Sequence, residues 1–245
     1  MKLSEGVRKG LAIREQIGRP YCAAVIVAAG SSSRMGGTDK ILTVVEKLPV
    51  ICRTVDAFDR CAAVGEIVVV AQQALMEKVS RYLAAYKKVR MVVAGGATRT
   101  ASVMAGLAAV SDRAQLIAVH DGARPLVTDA VITRTVAKAK KFAAAAPAVR
   151  VKDTIKVSSD GTVDETPDRA KLYAVQTPQV FDRDLLEAAL QNAQDRGLAL
   201  TDDCSAVEAL GMPVQLTDGD EENIKITTPL DLELAALIIR RRQNA

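Results

Sequence analysis

Tryptophan is absent from this 245-residue chain, and aromatic residues together make up 3%. A single-strand nucleic-acid surface built by stacking bases on rings is thereby excluded. There is one histidine, His120, which excludes a multi-histidine metal centre and acid–base catalysis by several imidazoles. The four cysteines, Cys22, Cys52, Cys61 and Cys204, form no Cys-x-x-Cys pair. Scattered thiols of this kind read as buried apolar residues in a reducing, cytoplasmic setting. No apolar run approaches the ~20 residues that span a bilayer. Residues 1–20 carry charge throughout and lack an apolar core, so no secretory signal is expected. Neither sign of charge dominates: Lys plus Arg is 33 against Asp plus Glu at 29, a net charge of +4. That suits a phosphate-bearing small molecule and is too weak to argue for nucleic acid.

What is present is an ordinary globular composition, 49% apolar and 25% charged, with ample material for a core. Uninterrupted apolar runs at Tyr21–Ala29, Glu66–Ala71, Val89–Ala94 and Gln115–Val119 read as parallel strands buried on both faces. Helix-period segments lie between and after them, at Val50–Arg60, Gln73–Ala85, Thr98–Val110 and Thr128–Phe142. Thr128 is the expected N-cap of the last of these. The alternation predicts an α/β fold, a Rossmann-like, mostly parallel sheet with helices on both faces.

From Ala143 the texture changes. Val149–Val157 alternates, Ser158–Gly161 is a turn cluster, and Lys171–Val175 is a further strand candidate. This predicts an antiparallel hairpin projecting as an arm at about 148–172. Helices are expected to resume at Asp182–Asp195 and Asp202–Leu210. Strands are expected at Pro213–Thr217 and Asn223–Ile226, and a closing helix at Pro229–Arg242, with Pro229 at its first position. One domain over 21–245 is expected, with 1–20 as an N-terminal extension.

The first strand runs into Ala28-Ala-Gly-Ser-Ser-Ser-Arg-Met-Gly-Gly-Thr-Asp-Lys40. Gly30 and the serines allow a tight turn whose backbone N–H groups hold phosphate, with Arg34 and Lys40 as flanking cations. It is neither the Gly-x-Gly-x-x-Gly dinucleotide loop nor the Gly-Lys-Ser/Thr phosphate loop. Its Ala-Ala-Gly-x-x-x-Arg-Met-x(4)-Lys pattern resembles the loop of sugar-phosphate nucleotidyltransferases. Four further motifs follow in order: His120-Asp-Gly-Ala-Arg-Pro125, Gln176-Thr-Pro-Gln-x-Phe181, Thr201-Asp-Asp203 and Asn223-Ile-Lys-Ile-Thr-Thr-Pro-x-Asp-Leu232. Together they resemble the family of 2-C-methyl-D-erythritol 4-phosphate cytidylyltransferases, from about residue 23 to the C-terminal helix.

The resemblance implies transfer of a cytidylyl group from CTP to a polyol phosphate. The attacking phosphate oxygen is already anionic, so the chemistry needs positioning and charge stabilisation more than proton transfer. By resemblance Arg34, Lys40 and Lys225 are the catalytic cations. Ala28, Ala29, Gly30, Ser31, Gly95, Gly96, Ala97, Ser102 and Asp121 bind the nucleotide, Gly95 to Ser102 reading the cytosine. Asp121, at a strand's carboxyl end, would hold Mg²⁺. Arg124, Lys152, Thr154 and Thr177 would bind the second substrate, Arg124 otherwise organising its loop. His120 reads as an orienting residue rather than a base. Asp202 and Asp203 read as helix caps, sugar-hydroxyl contacts or both, and the acidic run Asp220–Glu222 as solvent-facing. A homodimer exchanging arms would carry Lys152 to the neighbouring site, the bland alternative being a solvated edge hairpin. Two other readings remain: a cytidylyltransferase for another polyol phosphate such as ribitol 5-phosphate, and a non-catalytic nucleotide-binding homologue. With 13 residues after Leu232, no fused downstream enzyme is expected. Neither nucleic acid nor membrane is an expected partner.

Overall fold

The structure is a computed structural model that describes residues 21–30 and 40–244. A mixed sheet runs through the molecule. Its strands are β1 (Tyr21–Ala28), β4 (Glu66–Ala71), β5 (Val89–Ala94), β6 (Ala114–Asp121), β7 (Ala144–Arg150), β8 (Tyr173–Val175), β9 (Gln179–Asp182) and β10 (Gln215–Asp218). A separate two-stranded ribbon, β2 (Val44–Val45) and β3 (Leu48–Pro49), precedes the first helix. The helices are α1 (Val50–Arg60), α2 (Met76–Leu83), α3 (Arg99–Ala108), α4 (Asp129–Phe142), α5 (Arg183–Asp195), α6 (Asp203–Ala209) and α7 (Pro229–Gln243).

The order across the sheet is β10-β7-β9-β6-β1-β4-β5, with β8 paired to β7. β1 is parallel to β4 on one side and to β6 on the other, with Ala28 opposite Ala71 and Val27 opposite Asp121. The chain therefore leaves β1 in one direction and returns to its other side. Such a reversal opens a crevice at the strands' carboxyl ends, where ligands bind in α/β sheets. Alternate residues of β1 face opposite layers, as the strand period of two requires. Ala24 and Ile26 pack with α1, α2 and α4, whereas Ala23 and Val25 pack with α3, α5 and α6. Gly106 of α3 lets that helix lie close on the sheet, since a Cβ there would meet Val25 and Val70 side-chain carbons at 2.4 and 2.8 Å. A third, smaller cluster seats α7 against Val45, Leu126 and Ile226.

The expected strands and helices up to Phe142 are present, and Thr98, Thr128, Asp182 and Asp202 each cap a helix through a side-chain oxygen. Four expectations need correction. Val89–Ala94 is an edge strand, exposed or half-exposed along its length, because no strand follows β5 outward. Ala144–Arg150 is a sheet strand, so 148–150 belong to the sheet rather than to the arm, and its alanines are buried between β9 and β10. The arm is an exposed excursion over 151–172: the expected antiparallel pairing forms at its base, Ala148–Arg150 against Tyr173–Val175, but within the arm it continues only as an isolated bridge between Val157 and Glu165. Asn223–Ile226 forms no sheet strand. Asn223 O instead accepts from the Arg124 guanidinium and Ile226 N–H donates to Ala123 O.

Candidate active site

A cleft of about 400 Å³ opens at the carboxyl ends of β1 and β6. Ala28, Ala29, Gly30 and Lys40 line one side, Gly96 to Arg99 and Ser102 another, and Asp121 and Lys225 its floor. Arg34 and Ser31 lie outside the described residues. Gly95 sits just behind the wall. Its N–H donates to Ala71 O at 2.8 Å, and a Cβ on it would meet the Ala29 methyl at 2.3 Å. Only glycine allows the two loops to approach that closely.

Asp121 ends β6 with its side chain 12% exposed. Lys225 Nζ is 2.9 Å from Oδ2, Arg124 Nε 3.6 Å from the same oxygen, and Arg99 Nε 3.9 Å from Oδ1. Burial alone would raise this carboxyl's pKa, but Lys225, Arg99 and Arg124 together hold it below the ordinary aspartate value. One carboxylate thus gathers three cations. Arg99 is anchored from behind: Nη2 donates to Asp203 Oδ2 at 2.7 Å. Asp203 is buried, and Gln179 Oε1 accepts its N–H and that of Cys204. Burial pushes the Asp203 carboxyl up against the opposing pull of Arg99.

Behind Asp121 runs a buried chain of polar groups whose direction follows from donor inventory. His120 Nε2 lies 3.2 Å from the Arg124 carbonyl, which can only accept. Nε2 therefore carries the proton and Nδ1 is an acceptor. The Thr177 hydroxyl, 2.9 Å from Nδ1, donates to it and accepts the Asp121 N–H at 3.1 Å. Burial lowers the His120 pKa to about 4, which keeps the ring neutral and this arrangement intact at neutral pH. His120 thus bonds the backbone of the loop that follows it.

The second-substrate residues are placed differently from one another. Thr177 is buried, its hydroxyl turned to His120 rather than into the cleft. Arg124 is nearly enclosed and donates through Nη1 to Asn223 O at 2.7 Å, the loop-organising alternative for that residue. Lys152 and Thr154 are exposed on the arm and do not line the cleft. Lys152 pairs with Glu221 of its own chain. Ser102 uses its one proton on Thr98 O at 2.9 Å and accepts Gly96 N–H at 3.1 Å. Toward a base it therefore offers only a lone pair. Asp202 caps α6 and accepts from Gln179 Nε2 at 2.7 Å. The acidic run is not simply solvated: Asp220 and Glu222 take Arg242, Glu222 takes Arg241, and Glu221 takes Lys152.

Sequence reasoning missed Arg99. The available signal was its place in the first turn of a helix that follows a parallel strand's carboxyl end, where a cation faces any ligand in the crevice. It also gave Asn223 no role, although the Asn223 Nδ2–H donates to Thr177 O at 2.9 Å and so ties the Lys225 segment to the Asp121 network.

Among the described residues no group of three or more His, Cys, Asp or Glu side chains is placed to hold a metal. The donor set is a single carboxylate. Its Oδ1 has Arg99 Nε at 3.9 Å, beyond hydrogen-bond range. That fits Mg²⁺ carried mainly by phosphate oxygens and water, which needs only one or two protein carboxylates. It does not fit a protein-caged transition metal.

The family model for 2-C-methyl-D-erythritol 4-phosphate cytidylyltransferase matches residues 22–241. A curated protein of that name from Desulforamulus reducens is 43% identical over 224 residues, covering 89% of this chain and 96% of that protein. Another of that name, from Symbiobacterium thermophilum, is 45% identical over 219 residues, covering 89% and 92%. Among solved structures, 4-diphosphocytidyl-2C-methyl-D-erythritol synthase from Anaerococcus prevotii superposes with a TM-score of 0.83 at 30% identity, over 91% of this chain and 98% of that one. 2-C-methyl-D-erythritol 4-phosphate cytidylyltransferase from Thermus thermophilus superposes with a TM-score of 0.74 at 32% identity, over 90% and 99%.

Proposed function

The chain belongs to the family of 2-C-methyl-D-erythritol 4-phosphate cytidylyltransferases, and on that premise we propose how its own residues share the reaction. The enzyme transfers the cytidylyl group of CTP to 2-C-methyl-D-erythritol 4-phosphate, giving 4-diphosphocytidyl-2-C-methyl-D-erythritol and diphosphate in isoprenoid biosynthesis. The observation that carries the residue assignment is the gathering of Lys225, Arg99 and Arg124 around Asp121 on the floor of a cleft at the sheet's carboxyl edge.

A phosphate oxygen of the polyol phosphate attacks the α-phosphorus of CTP, and the bond to the β-phosphate's bridging oxygen breaks. Negative charge grows on the leaving diphosphate and stays on the α-phosphoryl oxygens, so preorganised cations are what accelerate the step. Lys225 and Arg99 are held by carboxylates in advance and stabilise that charge without reorganising. Lys40, with Arg34 of the same loop, grips the triphosphate from the β1 side. Backbone groups of Gly96 and Ala97 and a lone pair of Ser102 read the cytosine edge. Asp121 would hold Mg²⁺ through Oδ1. When bound, the metal supplies charge neutralisation along the phosphates.

The arm is read as the second-substrate element of a homodimer. Ile155, Val157 and Val163 are exposed on it, which a partner copy would cover. Lys152 would then leave Glu221 for the sugar phosphate in the neighbouring site. The four cysteines are free and buried, in keeping with a reducing cytoplasm. No helix of the described residues is long and apolar enough to cross a membrane.

Diphosphate release with CTP and each polyol phosphate tests the assignment. Turnover is expected with 2-C-methyl-D-erythritol 4-phosphate, and equal or better turnover with ribitol 5-phosphate would overturn the substrate choice. Lys225→Ala and Lys40→Ala are each expected to lower kcat by about 10²–10³-fold with smaller changes in KM for CTP. Wild-type turnover in either variant would remove that residue from the mechanism.

A further inference from the structure

We propose that Arg242, on the last turn of α7, is a positioning residue that holds Lys225 in register with Asp121; the inference rests on the reading that Lys225 acts on the triphosphate. Two loops carry the cleft floor. One runs on from Asp121 at the end of β6 and bears Arg124, and the other follows β10 and bears Lys225. Inside the molecule they are tied by Arg124 Nη1 donating to Asn223 O at 2.7 Å and by Ile226 N–H donating to Ala123 O at 2.8 Å. Arg242 ties them again from outside. Its Nη1 donates to Leu126 O at 2.9 Å, on the first loop. Its Nε donates to Glu222 Oε2 at 2.8 Å, and Nη2 lies 3.5 Å from Asp220 Oδ2, both on the second.

The grip on the second loop passes directly to its backbone. Asp220 Oδ1 accepts the Glu222 N–H at 2.9 Å, and the Gln176 side chain accepts the Asp220 N–H and donates to the Asp220 carbonyl. Lys225 stands three residues beyond Glu222 in a segment without sheet pairing. No ladder fixes its register; beside the single backbone bond from Ile226 N–H to Ala123 O, that task is left to side chains. A guanidinium suits it because its planar fork has donors pointing in several fixed directions, and charge-assisted bonds to carboxylates are the stronger kind. An ammonium at the same place cannot reach a carbonyl on one loop and two carboxylates on the other in fixed geometry.

Steady-state kinetics of Arg242→Ala, Arg242→Lys, Lys225→Ala and the Arg242→Ala/Lys225→Ala double variant test this, with thermal melting to confirm folding. Arg242→Ala is expected to lower kcat about tenfold, because small misplacements of a catalytic group are costly. KM for CTP should change by less than about threefold. Arg242→Lys is expected to lie between it and wild type. If Arg242 acts through Lys225, its removal costs nothing more once Lys225 is gone, so the double variant should match Lys225→Ala. A loss that multiplies in the double variant marks a general structural role and overturns the proposal. So does wild-type kcat in Arg242→Ala, or in Arg242→Lys if the alanine variant fails to fold. Wild-type turnover in Lys225→Ala would instead defeat the reading of Lys225 itself.

Discussion

Replacing Thr177 by valine keeps the volume and removes one oxygen, and the consequence can be read from its neighbours. The Asp121 N–H would lose its acceptor and His120 Nδ1 its donor, both in buried surroundings. Leaving buried polar groups unmatched costs about 1–3 kcal/mol. Thr177→Val should therefore lower stability by that order in denaturant titration and lower kcat as well, and Thr177→Ser should restore both. His120 gives a pH dependence with a definite sign. Its folded pKa of about 4 lies below the ordinary 6.5, so between those values the unfolded chain binds a proton that the native state refuses. The neutral ring's contribution is complete above the upper value and is lost as pH falls through the window, on the order of 3 kcal/mol in all. In His120→Gln that slope should vanish, and the stability gap to wild type should narrow from pH 7 to pH 4. A constant gap would show that the ring titrates normally. At this scale Asp121, Lys225, Gly30 and Gly96, which the sequence motifs singled out, line one cleft. What they could not reveal was direction: whether Thr177 and Arg124 face the cleft or the network behind it is decided by tertiary contacts, not by residue type.

At the scale of elements, legibility tracked how much of the hydrophobic pattern is local. Valine- and isoleucine-rich β1 and β4 and the capped helices were legible because β-branched runs and N-cap residues carry their own signal. β7 was not, because Ala144, Ala145 and Ala146 have low strand preference and Pro147 interrupts the run. Its place is dictated by β9 and β10 on either side. The entry to β7 holds a strained point. Ala143 ends α4 with φ of 67°, a left-handed conformation that costs a residue with a Cβ roughly 1–2 kcal/mol. Ala143→Gly relieves it while losing a little burial and adding unfolded-state entropy. The expected net is a gain of about 1 kcal/mol, visible as a melting temperature raised by roughly 2–4 °C. A lowered melting temperature would show that burial of the Ala143 methyl outweighs the strain.

For the whole molecule the proposed dimer turns on the arm. The exposed 151–172 excursion buries little against its own chain, and a dimer would give it a counterpart. Sedimentation should then report a dimer, lost on deletion of 153–167. Mixing Lys225→Ala with Lys152→Ala should regain activity, because one hybrid site would hold both lysines; no recovery on mixing would place Lys152 in its own chain's site or in none. A consequence of a different kind follows from where β1 lies. Its amides are paired on both edges, to β4 and β6, and residues Cys22 to Ile26 are shielded on both faces. Their hydrogens can exchange with deuterium only when the sheet itself opens, whereas those of the loops above can exchange through local opening. The strand that leads into the cleft is therefore expected to keep its protons longest. Nucleotide binding should register in the isotope pattern of 95–102 and 219–227 while β1 stays silent.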